Sequence, residues 1–148
     1  MEESGAICMF MGQFNHSLDE KKRVIIPSKF REKLGHSFII TKGFDGCLAV
    51  YTEAEWIKLQ ERLLSMNSNQ ADTRRHIRIL VGSATQCECD KQGRVSLPSN
   101  LITASGITKE VVLVGNINHI EIWSLENWQK YYDEANESFD EIAEKLVA

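Results

Sequence analysis

Two aspartate–arginine pairs recur in the sequence at the same internal spacing. Asp19 lies four residues before Arg23, and Asp90 lies four residues before Arg94. Paired carboxylates can act as general acid and general base, whereas an arginine can bind a phosphate or the edge of a guanine. Each aspartate stands at a predicted tight turn, where its side chain accepts backbone hydrogen bonds from the residues that follow. We therefore predict that Asp19 and Asp90 structure turns, and we expect a protein that is not an enzyme.

Three consecutive cations, Lys21, Lys22 and Arg23, occupy the first predicted turn. Asp19 and Glu20 cannot neutralise all three. One interpretation is a solvated hairpin tip with an Asp19–Arg23 ion pair; the other is a turn whose lysines contact DNA phosphates and whose arginine reads guanine. The first block alone does not separate these interpretations, but its recurrence favours DNA. The predicted DNA-binding residues are Lys21, Lys22, Arg23, Lys29, Lys91 and Arg94, with Arg31 beside Lys29 on the helix that follows the first block.

A metal site is the other chemistry that the side chains could support. Cys87 and Cys89, with His76 and His119, could in principle supply four zinc ligands. The two cysteines fall on the same face of a predicted strand, where two sulfurs seldom converge on one ion without a turn between them. We therefore expect no metal, no cofactor and no small-molecule substrate. The cysteines at positions 8, 47, 87 and 89 are expected to be reduced thiols.

The elements that position the two blocks form an internal repeat. A short helix ending at a glycine, an apolar strand, a second strand and a helix led by tryptophan follow each block, at an offset of 71 and then 72 residues. We assign residues 1–8 to an N-terminal extension, 9–70 to the first repeat, 71–80 to a connecting helix and 81–148 to the second repeat. One core shared by both repeats is expected to contain Phe30, Ile39, Val50, Val112 and Ile122.

The second repeat is predicted to end in one long helix that begins near Leu125. Apolar residues recur there at alternating steps of four and three, as in a heptad seam. Such a seam needs a partner helix, and residues 56–64 are the nearest candidate. The seam residues are Trp128, Tyr132, Ala135, Phe139, Ile142 and Leu146.

Charge is segregated along a chain of 148 residues whose net charge is −4. Residues 19–33 carry six Lys/Arg against three Asp/Glu, whereas residues 124–148 carry two against seven. The net charge argues against indiscriminate coating of polyanions, and the basic block therefore predicts a local contact. No apolar run is long enough to span a membrane and no secretory leader is visible, so a cytoplasmic location is expected.

The sequence resembles the bacterial MraZ family from Met9 to its end. The resemblance is carried by the two Asp-x-x-x-Arg blocks, the Pro-Ser after each apolar triplet, a Gly-x-x-Gly hairpin and the terminal stretch Glu137-Ser-Phe-Asp-Glu-Ile-Ala-Glu-Lys-Leu146. It implies an α+β fold of two fused SpoVT/AbrB-like βαββα repeats, intertwined as swapped hairpins into one β core. It also implies a ring of subunits larger than a dimer.

The same resemblance implies a function in transcription, with double-stranded DNA as the partner. It implies control of the division and cell-wall gene cluster through short direct repeats in its promoter, hence a nucleoid-associated protein. Arg23 and Arg94 match the family's DNA-contacting arginine, whereas Lys22 stands where a glycine is usual and leaves the first turn type open. The alternative is an antitoxin-type or other interaction module with the same fold, and an enzyme ranks third.

Overall fold

The apolar runs and capped helical segments form an α+β fold, as the sequence predicts. The computed structural model describes residues 9–147, so the predicted extension at residues 1–8 lies outside the described residues. The elements in chain order are β1 (Gln13–Ser17), β2 (Arg23–Ile25), α1 (Ser28–Leu34), β3 (Phe38–Lys42), β4 (Leu48–Thr52), α2 (Glu53–Leu64), α3 (Ala71–Gly82), β5 (Thr85–Cys87), β6 (Arg94–Ser96), α4 (Ser99–Ser105), β7 (Glu110–Asn116), β8 (His119–Ser124), α5 (Leu125–Glu137) and α6 (Phe139–Val147).

Both antiparallel sheets contain strands from the two repeats. The larger sheet has the order β1-β7-β8-β4-β3-β5, and β2 pairs with β6 in a two-stranded ribbon. β1 of the first repeat therefore lies beside β7 of the second, while β5 of the second repeat lies beside β3 of the first. Neither repeat holds all the neighbours of its own strands, so the sheet is a product of both.

The core lies on one face of the larger sheet. Phe30 is 2% exposed and packs edge-on against Phe10 and Phe14, with ring centroids 5.7 and 5.0 Å away. Val50 and Ile122 belong to the same cluster, as predicted. Ile39 and Val112 are also buried, but strand alternation directs them to the opposite face. The expected five-residue core was therefore wrong at these two positions.

Side-chain caps and one buried hydrogen bond fix the helices on that opposite face. Thr52 Oγ1 accepts from the Glu55 backbone N–H at 3.0 Å and caps the start of α2. The Thr41 hydroxyl donates to the Leu80 carbonyl at 2.6 Å and ties α3 to β3. α3 extends to Gly82, two residues beyond the predicted connecting helix at 71–80.

The long C-terminal helix predicted from Leu125 is two helices. α5 ends at Glu137, Ser138 has non-helical dihedral angles (φ −103°, ψ 14°), and α6 begins at Phe139. α5 packs chiefly against β7 and β8 rather than α2, with the Trp128 ring 5.3 Å from that of Trp123. The seam continues into α6, but there Phe139 is 65% exposed. The heptad pattern predicted one helix because apolar spacing does not indicate where the sheet surface beneath the helix ends.

Candidate nucleic-acid interface

The first Asp-x-x-x-Arg block forms a turn that is closed by its own aspartate. Asp19 Oδ1 accepts from the backbone N–H groups of Lys21 and Arg23, both at 2.9 Å. Asp19 Oδ2 accepts from the Nε of Arg23 at 2.8 Å. The carboxylate of Asp19 therefore fixes both the turn and the orientation of the Arg23 guanidinium.

The second block repeats this geometry. Asp90 Oδ1 accepts from the backbone N–H groups of Gln92 and Arg94 at 2.9 Å, and Oδ2 accepts from Arg94 Nε at 2.9 Å. Gly93 has a φ of 80° and Lys22, its counterpart, has a φ of 61°. The turn type left open by Lys22 is therefore the same in both blocks, with a lysine held in the left-handed region.

The turn hydrogen bonds keep both carboxylates charged. The backbone N–H of Arg23 lowers the pKa of Asp19, partial desolvation opposes this shift, and the remaining hydrogen bonds from Arg23 and Lys21 add to it. Asp90 shows the same direction, led by the backbone N–H of Arg94. A charged aspartate holds a guanidinium in one orientation, because hydrogen bonds between ionised groups are short and strong.

The ribbon of β2 and β6 places the two arginines on one surface. Val24 and Val95 are opposite each other in the register and are buried, so the flanking residues point outward. Arg23 and Arg94 both line a shallow depression of about 510 Å³. Their side chains are 25% and 26% exposed, and within residues 9–147 their Nη groups have no hydrogen-bond acceptor.

The lysines predicted to bind DNA are all exposed around this ribbon. Lys21 and Lys22 lie on the first turn, Lys91 lies on the second, and Lys29 lies in the first turn of α1. Their ammonium groups are free to meet a polyanion in the part of the chain that the structure describes. The second turn has only Lys91 beside its arginine, so positive charge is concentrated at the first.

Arg31, expected to accompany Lys29 at DNA, also has a structural contact. It is half-buried and its Nη1 donates to the Ile26 carbonyl at 2.8 Å. Its guanidinium lies over the turn of the other repeat, where a Cβ added to Gly93 would overlap it. Arg31 therefore braces the second turn, and its contact with DNA stays a prediction.

Sequence reasoning missed Ile25, which lies on the outward face of the ribbon. Ile25 is opposite Arg94 in the register and is 41% exposed. The triplet Val24-Ile25-Ile26 reads as a buried strand, but strict alternation would have directed its middle residue outward. The surface around the arginines therefore also includes an apolar side chain.

Other chemistries find little support in the described residues. Between residues 9 and 147 there is no group of three or more His, Cys, Asp or Glu side chains placed to hold a metal ion. Cys47, Cys87 and Cys89 are free thiols, and burial raises the pKa of Cys87 to about 11. None of the helices in the described part of the chain is long and apolar enough to cross a membrane.

A family model described as "MraZ protein, putative antitoxin-like" matches the chain twice, at residues 9–79 and 80–148. The chain belongs to the MraZ family. Proteins named "Transcriptional regulator MraZ" from Ligilactobacillus salivarius, Natranaerobius thermophilus and Desulforamulus reducens are 46%, 48% and 47% identical to it over 139 residues. Each match covers 94% of this chain and 97–98% of the relative. The two MraZ matches meet at residues 79 and 80, inside α3.

Proposed function

We propose that this MraZ protein is a sequence-specific DNA-binding regulator of transcription. The observation that carries the proposal is the pair of arginines on one ribbon, each anchored through Nε by an aspartate, with Nη groups that have no acceptor among residues 9–147. A guanidinium fixed in this way can donate both Nη groups to O6 and N7 of a guanine. The names of the relatives support a role in transcription.

The lysines contribute affinity for DNA, and the arginines contribute specificity for base sequence. Lys21, Lys22 and Lys91 lie on exposed turns and suit phosphate contacts, which carry no sequence information. Arg23 and Arg94 point from the ribbon toward base edges, where a good bidentate pair discriminates by about 1–3 kcal/mol. The targets that we propose are short direct repeats in the promoter of the division and cell-wall gene cluster. The nucleoid, in the cytoplasm, would then be the site of action.

The strand pairing supports a swapped-hairpin description of the fold. The β2–β6 ribbon is made of one strand from each repeat, and the Ile26 N–H donates to Gly93 O while the Leu97 N–H donates to Lys22 O. These two bonds are related by the repeat offset, as in an intertwined pair of SpoVT/AbrB-like units. We propose that each unit inserts its turn into the other, so that the ribbon formed by both units carries the two arginines.

We further propose that subunits assemble into a ring larger than a dimer. α6 presents an exposed apolar face and several carboxylates, while a groove between α2 and α3 is lined by apolar side chains including Ile57 and Val81. α3 also carries exposed arginines, so a neighbour's α6 would meet both apolar surface and opposite charge. A contact between two different patches forms a ring when its rotation closes. Apolar burial should dominate, and 1 M salt should leave the particle intact by light scattering.

The DNA proposal is tested by comparing Arg23→Ala and Arg94→Ala with a matched control. Arg75 is also an arginine paired with an aspartate, with its Nη1 2.7 Å from Asp72 Oδ1, but it lies exposed on α3. Binding to the promoter duplex and to a scrambled duplex is measured across a salt series. The ribbon variants should lose preference for the promoter, whereas Arg75→Ala should retain it. Lys21→Ala should weaken both duplexes alike and reduce the salt slope by about one unit.

Two results would contradict the proposal. Equal losses on both duplexes for Arg23→Ala and Arg94→Ala would make these arginines phosphate contacts or turn braces. No preference for the promoter in the wild-type protein would reject sequence-specific regulation and favour the interaction-module alternative.

A further inference from the structure

The outward face of the ribbon contains four side chains in two cross-strand pairs. Arg23 is opposite Ser96, and Ile25 is opposite Arg94. Residues two apart on a strand share a face, so all four side chains lie on the surface that carries both guanidinium groups. The two arginines occupy one diagonal of this rectangle, and Ile25 and Ser96 occupy the other.

Ile25 is exposed at a position where the fold does not require an apolar side chain. Val24 and Val95, on the inner face, are 0% and 2% exposed, so the ribbon is already anchored to the core. Ile25 leaves 41% of its surface in contact with water. Its counterpart in the second repeat is Ser96, a small polar residue in the same backbone setting. A polar residue is thus compatible with the ribbon, and the isoleucine needs another reason.

The charges beside Ile25 indicate what could cover it. Arg94 lies directly across the ribbon, Arg23 lies two residues before, and Lys21 and Lys22 extend the positive charge along the turn. A partner must therefore be anionic and must offer an apolar group between its anionic edges. The major groove of DNA meets both conditions, because it admits a two-stranded ribbon and displays the C5-methyl group of thymine beside guanine acceptors.

We propose that Ile25 is a specificity-determining residue that contacts the C5-methyl group of a thymine. This inference rests on the proposed DNA binding and adds a base preference to it. The thymine lies next to the guanine read by an arginine of the same face, because cross-strand neighbours such as Ile25 and Arg94 are about 5 Å apart at Cβ. Burial of one methyl group against Ile25 is a small, measurable gain in affinity.

The Ile25–Ser96 difference also gives the ribbon a direction on DNA. Arg23 and Arg94 are related by the repeat, and alone they would read a site with two-fold symmetry. Ile25 favours a methyl group, whereas Ser96 can only hydrogen-bond to a base edge in the equivalent place. The ribbon therefore prefers one orientation on an asymmetric site, as a target built of direct repeats requires.

The test removes the methyl group from the DNA and the isoleucine from the protein. A duplex is first selected from a random library with the full-length protein, and each thymine in it is then replaced by deoxyuridine, which lacks only the methyl group. Ile25→Ser gives the ribbon the residue of its own second repeat. Phe44→Ser is the control, because Phe44 is also exposed, at 74%, but lies in the turn between β3 and β4. Ile25→Val retains an apolar side chain and should keep part of the methyl preference.

At one thymine, deoxyuridine should weaken wild-type binding about three- to fivefold, the size expected for one buried methyl group. Phe44→Ser should show the same loss, and Ile25→Ser should bind both duplexes equally. The proposal is overturned if no deoxyuridine position weakens the wild type, or if Ile25→Ser keeps the full loss.

Two further outcomes separate this proposal from the proposed function. If Arg23→Ala loses sequence preference while no methyl group matters, DNA reading stands and the role of Ile25 is rejected. If the random library yields no enriched sequence, the proposed function itself is rejected. Sedimentation of Ile25→Ser gives the last check, because a change in oligomer size would assign Ile25 to a contact between copies of this chain and overturn the thymine contact.

Discussion

The same substitution at equivalent positions of the two turns has different expected effects on stability. Gly93 and Lys22 both have left-handed backbone angles, with φ of 80° and 61°. Gly93 is buried beneath the guanidinium of Arg31, which a Cβ would overlap. Lys22 already has a Cβ in the same backbone conformation. We therefore predict that Gly93→Ala destabilises the protein and that Lys22→Ala leaves its stability nearly unchanged.

The magnitude follows from two contributions. A non-glycine residue in the left-handed region costs about 1 kcal/mol. Displacement of Arg31 breaks its 2.8 Å hydrogen bond to Ile26 O, a bond from a charged donor of the kind that contributes about 1.5–3 kcal/mol. Partial exposure of Arg31 reduces the second contribution, so Gly93→Ala should lower the free energy of unfolding by about 2–3 kcal/mol. Lys22→Ala should change it by less than about 0.5 kcal/mol.

Urea unfolding of both variants at one protein concentration, followed by tryptophan fluorescence, measures these differences. The double variant Gly93→Ala, Arg31→Ala completes a mutant cycle. Once Arg31 is absent, the second substitution should cost only the backbone strain of about 1 kcal/mol. The reasoning is refuted if Gly93→Ala costs no more than Lys22→Ala, or if its cost is the same with and without Arg31.

Three further predictions concern pH, strain and the interleaved sheet. Folding lowers the pKa values of Asp19 and Asp90, so the stability that they contribute is present above about pH 4 and is lost as pH falls through the folded pKa values. Urea unfolding between about pH 2.5 and 6 should show this loss in the wild type and a smaller loss in the double variant Asp19→Asn, Asp90→Asn. Ile117→Asn should raise the free energy of unfolding by about 0.5–1 kcal/mol, because a β-branched residue is strained at a φ of 66°, and a loss in the same assay would contradict this. Residues 9–70 alone lack β7 and β8 and should not unfold cooperatively by calorimetry, and a stable monomer of this fragment would argue against a shared core.

The sequence predicted the turns well because their determinants are local. An aspartate that bonds to the second and fourth backbone N–H groups after it needs no distant partner, and the same is true of Thr52 at the start of α2. The arginines of the candidate site follow from those turns, since each guanidinium is held by the aspartate of its own block. Hydrogen bonds between residues close in sequence, repeated in both blocks, can therefore be predicted without a structure.

The errors share a different cause, because each depended on which surface lies opposite a residue. The place of Arg31 on α1 did not predict its contacts with Ile26 and Gly93, which come from both repeats. Ile39 and Val112 were assigned to the wrong face of the sheet although their burial was predicted correctly. Apolar spacing indicates that a residue is buried, whereas the neighbour that buries it is set by strand order, which a single sequence does not contain.

The exposed part of the seam, in α6, also depends on which neighbour covers an apolar residue. Trp128 of α5 packs on Trp123, whereas the seam residue Phe139 of α6 is 65% exposed although it continues the same apolar spacing. The apolar spacing correctly predicted which side of the helix is apolar, but it did not predict which molecule covers that side. If α6 packs only within its own subunit, Phe139→Ser should leave particle size unchanged in light scattering. If a neighbouring subunit covers it, as we propose, the same substitution should reduce the particle to smaller species while the urea unfolding of each subunit retains its cooperativity.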